Sequence, residues 1–342
     1  MKKILSYTIK VGLPLLLGGA ILYWMYRGFD FEKVRRVVTE EMNWTWMLLS
    51  LPFGVLAQVF RALRWKQTLA PLGEKPRTDN AIYSIFLSYA TSLVVPRVGE
   101  FVRCGVLKRT DGVSFSKALG TVLTERAVDT LMMMMMTVMA ILLQLPVFSS
   151  FFARTGTRLD TLLASFTSTG YLVTAICALA VIVLLVMLMR RLAIFNKVKG
   201  VMRNIWQGVA SLRNINGRAL YLFYTFAIWF SYFLHFMLTF YCFEATAHLG
   251  VSCAFVSFVV GTIAVIVPTP NGAGPWHFAV KTMLILYGVQ SDAALFFVLI
   301  VHTVQTLLVV LLGIWAAIFI RRRKQSILTS ESQMPDDTRA SM

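Results

Sequence analysis

Acidic residues are scarce in this 342-residue chain, where 16 Asp and Glu stand against 33 Lys and Arg, and histidine and cysteine number 4 each. The cysteines, Cys104, Cys177, Cys242 and Cys253, lie scattered in apolar or basic sequence without paired spacing, which argues against a disulfide scaffold and a zinc site. No metal and no cofactor are expected. A nucleotide-binding glycine-rich loop is also absent from the sequence, so ATP hydrolysis by this chain is not expected. Charged residues make up only 14% of the chain against 57% hydrophobic ones, and mean hydropathy is +0.69. Soluble domains hold apolar residues nearer to one half, so this composition reads as an integral membrane protein.

A spanning helix needs roughly 20 apolar residues to cross about 30 Å of hydrocarbon. Six segments meet or approach that length, at about 9–26, 43–63, 118–145, 168–189, 219–241 and 294–320. Two further apolar segments, 81–95 and 252–267, are too short and stop at Pro96 and Pro268. The first segment follows Lys2, Lys3 and Lys10 and ends in Tyr23, Trp24 and Tyr26, which predicts a signal anchor with interfacial aromatics rather than a cleaved signal peptide.

Letting the six long segments cross and the two short ones enter and return on one side places 25 Lys and Arg in the cytoplasm and 6 outside, with Arg126 and Lys281 at membrane depth. The positive-inside rule accepts that topology with both termini cytoplasmic, and it accounts for the net charge of +17 without a nucleic-acid partner. The expected fold is therefore an all-α integral membrane domain over 1–324, with six full transmembrane helices and two re-entrant helical hairpins at about 81–110 and 252–288 forming an inverted repeat. An ordinary spanning helix kinked over 252–287 is the alternative for the second hairpin. Residues 190–218 alternate apolar and basic positions at helical spacing and predict an amphipathic helix on an anionic leaflet. The polar segment 325–342 is expected to be a disordered cytoplasmic tail.

Both short segments end in turn chemistry, Pro96-Arg97-Val98-Gly99 and Pro268-Thr269-Pro270-Asn271-Gly272-Ala273-Gly274. Irregular backbone inside a bilayer must pack in protein or line a wet cavity. Gly272 and Gly274 permit tight turns with free amides, and Pro275 suits the first turn of a returning helix, whose start attracts anions. Arg97, Arg103, Gly99, Asn271, Gly272, Gly274 and Lys281 are the candidate headgroup-binding residues. Glu125, Arg126 and Asp129 sit inside an apolar span, where each charge costs about 2.5–3.5 kcal/mol on insertion scales. With Glu100 they form a candidate charge network, read either as a structural ion-pair cluster or as the means of organising Arg97, Arg103 or Lys281. Arg61, Arg64 and Trp65 are expected to anchor the second span at the cytoplasmic interface. His235 and His302 read as hydrogen-bonded core residues.

Arg61-x-x-Arg64-Trp65, Pro96-Arg97-Val98-Gly99-Glu100-x-x-Arg103, Glu125-Arg126-x-x-Asp129 and Pro268-Thr269-Pro270-Asn271-Gly272-Ala273-Gly274, in that order, resemble the lysylphosphatidylglycerol synthase transmembrane, or flippase-like, family. The resemblance covers nearly the whole chain. It implies a bacterial cytoplasmic-membrane protein without the soluble aminoacyltransferase module, moving a polar or anionic lipid between the two tips. Its alternative is a polyprenyl-phosphate-dependent glycosyltransferase or an accessory subunit of a lipid-modifying enzyme. The external acids, among them Glu41 and Glu244, form no compact motif of the kind that reading needs. The family commonly carries an acid where this chain has His277, which makes His277 the candidate for proton coupling. Expected partners are membrane lipids, anionic ones first, and a second copy of the chain.

Overall fold

The computed structural model describes residues 18–27, 31–154, 217–267 and 269–332, and among them every regular element is helical. We label the α-helices α1 (18–26), α2 (Phe31–Arg36), α3 (Trp44–Leu69), α4 (Thr78–Val94), α5 (Val98–Asp111), α6 (Phe115–Arg154), α7 (Arg218–Met237), α8 (Glu244–Ala247), α9 (Gly250–Ala264), α10 (Pro275–Leu286) and α11 (Ser291–Ser332). Four segments are long and apolar enough to cross a membrane, namely Trp44–Leu72, Phe115–Gln144, Arg218–Cys242 and Ser291–Arg322. They coincide with four of the six expected spans. The segment 168–189, all but the last two residues of the amphipathic helix expected at 190–218, and most of 9–26 lie outside the described residues. Helix α11 runs on to Ser332, so the expected polar tail is helical past Gln325; Lys324, Gln325 and Glu331 are all adequate helix formers.

The short segments form two helix–break–helix units. Helices α4 and α5 hold 17 and 14 residues, and α9 and α10 hold 15 and 12, so at about 1.5 Å per residue each is shorter than the hydrocarbon core. The first unit turns at Val95-Pro96-Arg97. The base of this hairpin is tied where Asn80 Nδ2 donates to both carboxylate oxygens of Asp111 at 3.0 Å, and Gly112 closes α5 in the left-handed conformation at φ 69°. Helix α9 ends at Ala264, before Pro268 rather than at it, because Val265, Ile266 and Val267 are already drawn into tight turns. As expected, Pro275 opens α10, where its missing N–H has no helical partner to lose.

Lipid tails are as apolar as leucine, so small residues that let backbones meet carry much of the packing in a membrane. A Cβ on Gly99 would lie 2.0 Å from the carbonyl oxygen of Ser88, which is how closely α5 folds onto α4. One on Gly313 would lie 2.2 Å from Ala90 Cβ, fixing α11 against α4. Gly54 of α3 admits His235 of α7 in the same way, and Gly261 of α9 admits Trp276 and Val280 of α10.

Candidate functional site

Helix α3 brings Arg61 and Arg64 to one side, and α6 presents Glu125 and Asp129 one turn apart on the facing side. Asp129 accepts from Arg61 Nη1 at 2.6 Å through one oxygen and from Arg64 Nη2 at 2.7 Å through the other. Glu125 lies 2.8 Å from Arg103 Nη1 of α5 and 3.6 Å from Arg64 Nε. Arg64, Glu125 and Trp65 are fully buried, and Arg61, Arg103 and Asp129 are nearly so. Trp65 lies under the Arg103 guanidinium at 4.5 Å and donates its indole N–H to Thr121 at 2.9 Å. The sequence expectation of an interfacial belt is therefore corrected for Arg61, Arg64 and Trp65. Helix α3 continues to Leu69, past the expected end of the span, and the carboxylates of α6 draw both arginines inward. Arg103, expected to hold phosphate, is enclosed with Glu125 instead. Arg126, its side chain 49% exposed, stands on the rim and pairs with Glu100 at 2.7 Å.

The second feature is a cavity of about 400 Å³ walled by both chain breaks. Pro96 and Arg97 reach it from the first and Thr269, Asn271 and Gly272 from the second. Gln58 of α3, Tyr89 and Ser92 of α4, Tyr232 and His235 of α7, and His302, Gln305 and Thr306 of α11 add further polar groups to its lining. Among the described residues, Arg97 at φ 64° and Asn271 at φ 53° are the two non-glycine positions in the left-handed region. Each follows a proline. Such backbone costs about 1–3 kcal/mol and persists where surrounding structure holds it for a purpose. The second break is fixed by Asn271 Nδ2 donating to Thr306 Oγ1 at 2.6 Å, while His302 Nε2 lies 3.1 Å from the Asn271 carbonyl oxygen. Among the described residues no carboxylate lines this cavity and Arg97 forms no ion pair. Two lining residues carry unpartnered buried oxygens, Gln58 Oε1 and Thr269 Oγ1.

His277 is buried behind this wall, its ring 4.4 Å from that of His302. Its Nδ1 accepts the Gly274 amide proton at 3.4 Å, at the position where a capping-box side chain reaches back to the N-cap. The imidazole thus does structurally what an acid at this position would do. Replacing His277 with Ala is expected to lower stability by about 1 kcal/mol, whereas His277→Glu keeps the acceptor and should melt nearer to wild type, as read by thermal unfolding in detergent. Gly274, at φ 91°, also lets α1 pack on the break, since a Cβ there would lie 2.9 Å from the Gly18 carbonyl oxygen. Lys281 sits on α10 outside the cavity lining and pairs with no carboxylate among the described residues. His235 and His302, read as hydrogen-bonded core residues, do have partners, His235 Nδ1 lying 2.9 Å from the Ser50 carbonyl oxygen, but both also line the cavity. The sequence reading missed Gln58, Tyr89 and Tyr232. The available signal was the i, i+3 spacing of Gln58 and Arg61 within an apolar span.

A smaller polar cluster gathers Glu41, Glu244 and His248 around a separate cavity of about 620 Å³, walled also by Phe243 and Phe296. Among the described residues no group of three or more His, Cys, Asp or Glu could hold a metal ion.

Four membrane-length helices, a buried ion network and a polar cavity between two broken helices define a multi-pass membrane protein with an internal polar site. The chain belongs to the lysylphosphatidylglycerol synthase transmembrane-region family, whose model matches residues 11–313. Neither a curated protein nor a solved structure matches it. Family membership sets it among membrane proteins of lipid modification or flipping.

Proposed function

We propose that this protein moves a polar or anionic lipid headgroup across the bacterial cytoplasmic membrane through the cavity between the two chain breaks. The observation that carries this reading is the meeting of Arg97 and Asn271, two left-handed non-glycine residues from distant parts of the chain, at one cavity to which the described residues bring a cation and no carboxylate. An arginine at membrane depth is costly in hydrocarbon, which favours a wet cavity around it. Arg97 supplies charge-assisted hydrogen bonds to a phosphate, and Asn271, His302 and the orphaned oxygens of Gln58 and Thr269 supply polar contacts for the rest of a headgroup. The shortness of α4, α5, α9 and α10 supports two re-entrant hairpins. The matching Pro-then-left-handed turns support an inverted repeat about a central site. Transport further requires that the cavity open alternately to each side.

The test is headgroup selectivity in vesicles reconstituted with the purified chain. Fluorescent phosphatidylglycerol is expected to equilibrate between leaflets faster than a phosphate-free diacylglycerol glycolipid, measured against protein-free vesicles. Equal rates for both lipids would overturn the reading. The second reading, sugar transfer from a polyprenyl phosphate or an accessory role beside a lipid-modifying enzyme, is favoured by one observation, the convergence of Glu41, Glu244 and His248 on a second cavity. Under it, Glu41→Gln with Glu244→Gln removes activity while leaving lipid equilibration intact.

A further inference from the structure

Among the described residues the enclosed ion network does not balance. Arg61, Arg64 and Arg103 face Glu125 and Asp129, so the five buried side chains carry one positive charge in excess, and the rim pair Arg126–Glu100 leaves that excess unchanged. A guanidinium does not shed its proton in a protein, so the excess cannot be relieved by titration. Buried polar atoms of the network also remain without hydrogen-bond partners, four of them donors, Arg61 Nε, Arg64 Nε and Arg103 Nε and Nη2, and two of them acceptors, the Glu125 oxygens, which stay within ion-pair range of Arg103 and Arg64. Uncompensated charge in an enclosed site demands a counter-charge.

The place from which it could come is adjacent. Tyr89 and Tyr232, whose hydroxyls are joined at 2.8 Å, both line the tip cavity, and Arg61 stands one turn along α3 from that lining. Gln58, one turn before Arg61 on α3, lines it as well and leaves its Oε1 unpartnered. One cationic side chain, Arg97, thus lines the cavity, and the network's excess lies one helical turn from its wall, at Arg61 beyond Gln58.

We infer that the occupant of the tip cavity is the counter-ion of the buried arginine network: a phosphate-bearing anion held by Arg97 on one side and, across the Tyr89–Tyr232 hydroxyls, by Arg61 on the other. This deepens the transport reading and rests on it for the location of the headgroup. It makes Tyr232 a positioning residue and the network, through its net charge, the selector of anionic cargo.

The experiment measures binding of phosphatidylglycerol to the purified chain in detergent, with inorganic phosphate and diacylglycerol as competitors. Arg103→Met removes the excess charge and should weaken binding about tenfold, whereas Glu125→Gln raises it and should tighten binding by a similar factor. Tyr232→Phe changes no charge and keeps the ring; it should weaken binding severalfold and guards against misfolding of the buried-charge variants. Displacement of the lipid by inorganic phosphate marks a site that also takes the free anion, and displacement by neither competitor marks a headgroup held with its glycerol; both support the inference. Displacement by diacylglycerol would overturn it. So would unchanged affinity in Tyr232→Phe, or shifts of the same sign in Arg103→Met and Glu125→Gln, while Arg97→Ala still abolishes binding, and the transport reading would then stand without it. Absence of binding by the wild-type chain, together with unselective lipid movement, would instead remove the transport reading.

Discussion

Replacing Asp129 with Ala is expected to destabilise the protein by about 3–5 kcal/mol, enough to abolish folded material in detergent. The carboxylate is the shared partner of Arg61 and Arg64, each held by a bond of 2.7 Å or less, and all three groups are buried. Removing it leaves two guanidinium groups in an enclosed region with one remaining carboxylate, Glu125, which already serves Arg103. A buried charge stripped of its partner is far worse than a buried pair never formed. The same logic predicts that Arg61→Met combined with Asp129→Leu recovers part of the loss, because both charges leave together. Size-exclusion profiles and thermal unfolding read both outcomes. A wild-type profile for Asp129→Ala would show that the network does not hold α3 to α6.

Substituting Gly99 with Leu should be comparably damaging by a wholly different route. Even a methyl group would sit 2.0 Å from the Ser88 carbonyl oxygen and 2.4 Å from Ser92 Oγ, distances that no rotamer change on α5 relieves. The α4–α5 hairpin must then open, moving Arg97 and the left-handed turn that precedes Gly99. Overpacking of this kind costs about 1–3 kcal/mol for a few extra methylenes and more when backbone must shift. Gly105 offers the internal control. It lies in the same helix with no atom within 4 Å of its added Cβ, so Gly105→Ala should be neutral or stabilising by up to about 1 kcal/mol through helix propensity. Equal melting temperatures for Gly99→Leu and Gly105→Ala would contradict the close packing of this hairpin.

Much of the architecture is legible in the sequence because apolar length and proline placement act locally. The spans at 43–63, 118–145, 219–241 and 294–320 and the two broken segments follow from hydropathy alone, and the Pro-containing turns announce where the helices stop. The charged cluster in α6 is visible as an anomaly, and its partners are not. Arg61 and Arg64 look like the end of a span, since arginine before Trp65 and Lys66 is the usual pattern of an interface. What turns them inward is the pair of carboxylates on α6, more than 60 residues away. From its place beside the tip Arg103 looks like a phosphate ligand, whereas its partner is Glu125 on α6. The polar lining of the cavity was missed for the same reason. Gln58, Tyr89 and Tyr232 are unremarkable one at a time, and only packing of α3, α4 and α7 brings them to one wall. The exchange of an acid for His277 looked like a change of chemistry, and its contact with the Gly274 amide accounts for it as a cap.

Transport as proposed requires Arg97, held in a left-handed turn at the first chain break, to bind the headgroup in the cavity it shares with Asn271. Its most direct test is equilibration of fluorescent phosphatidylglycerol between leaflets in vesicles carrying wild-type or Arg97→Ala protein, with folded content matched by size-exclusion chromatography. Arg97→Ala is expected to fold like the wild type, since the Arg97 side chain forms no ion pair among the described residues, and to fall to the rate of protein-free vesicles. Equilibration at the wild-type rate by folded Arg97→Ala protein would contradict it.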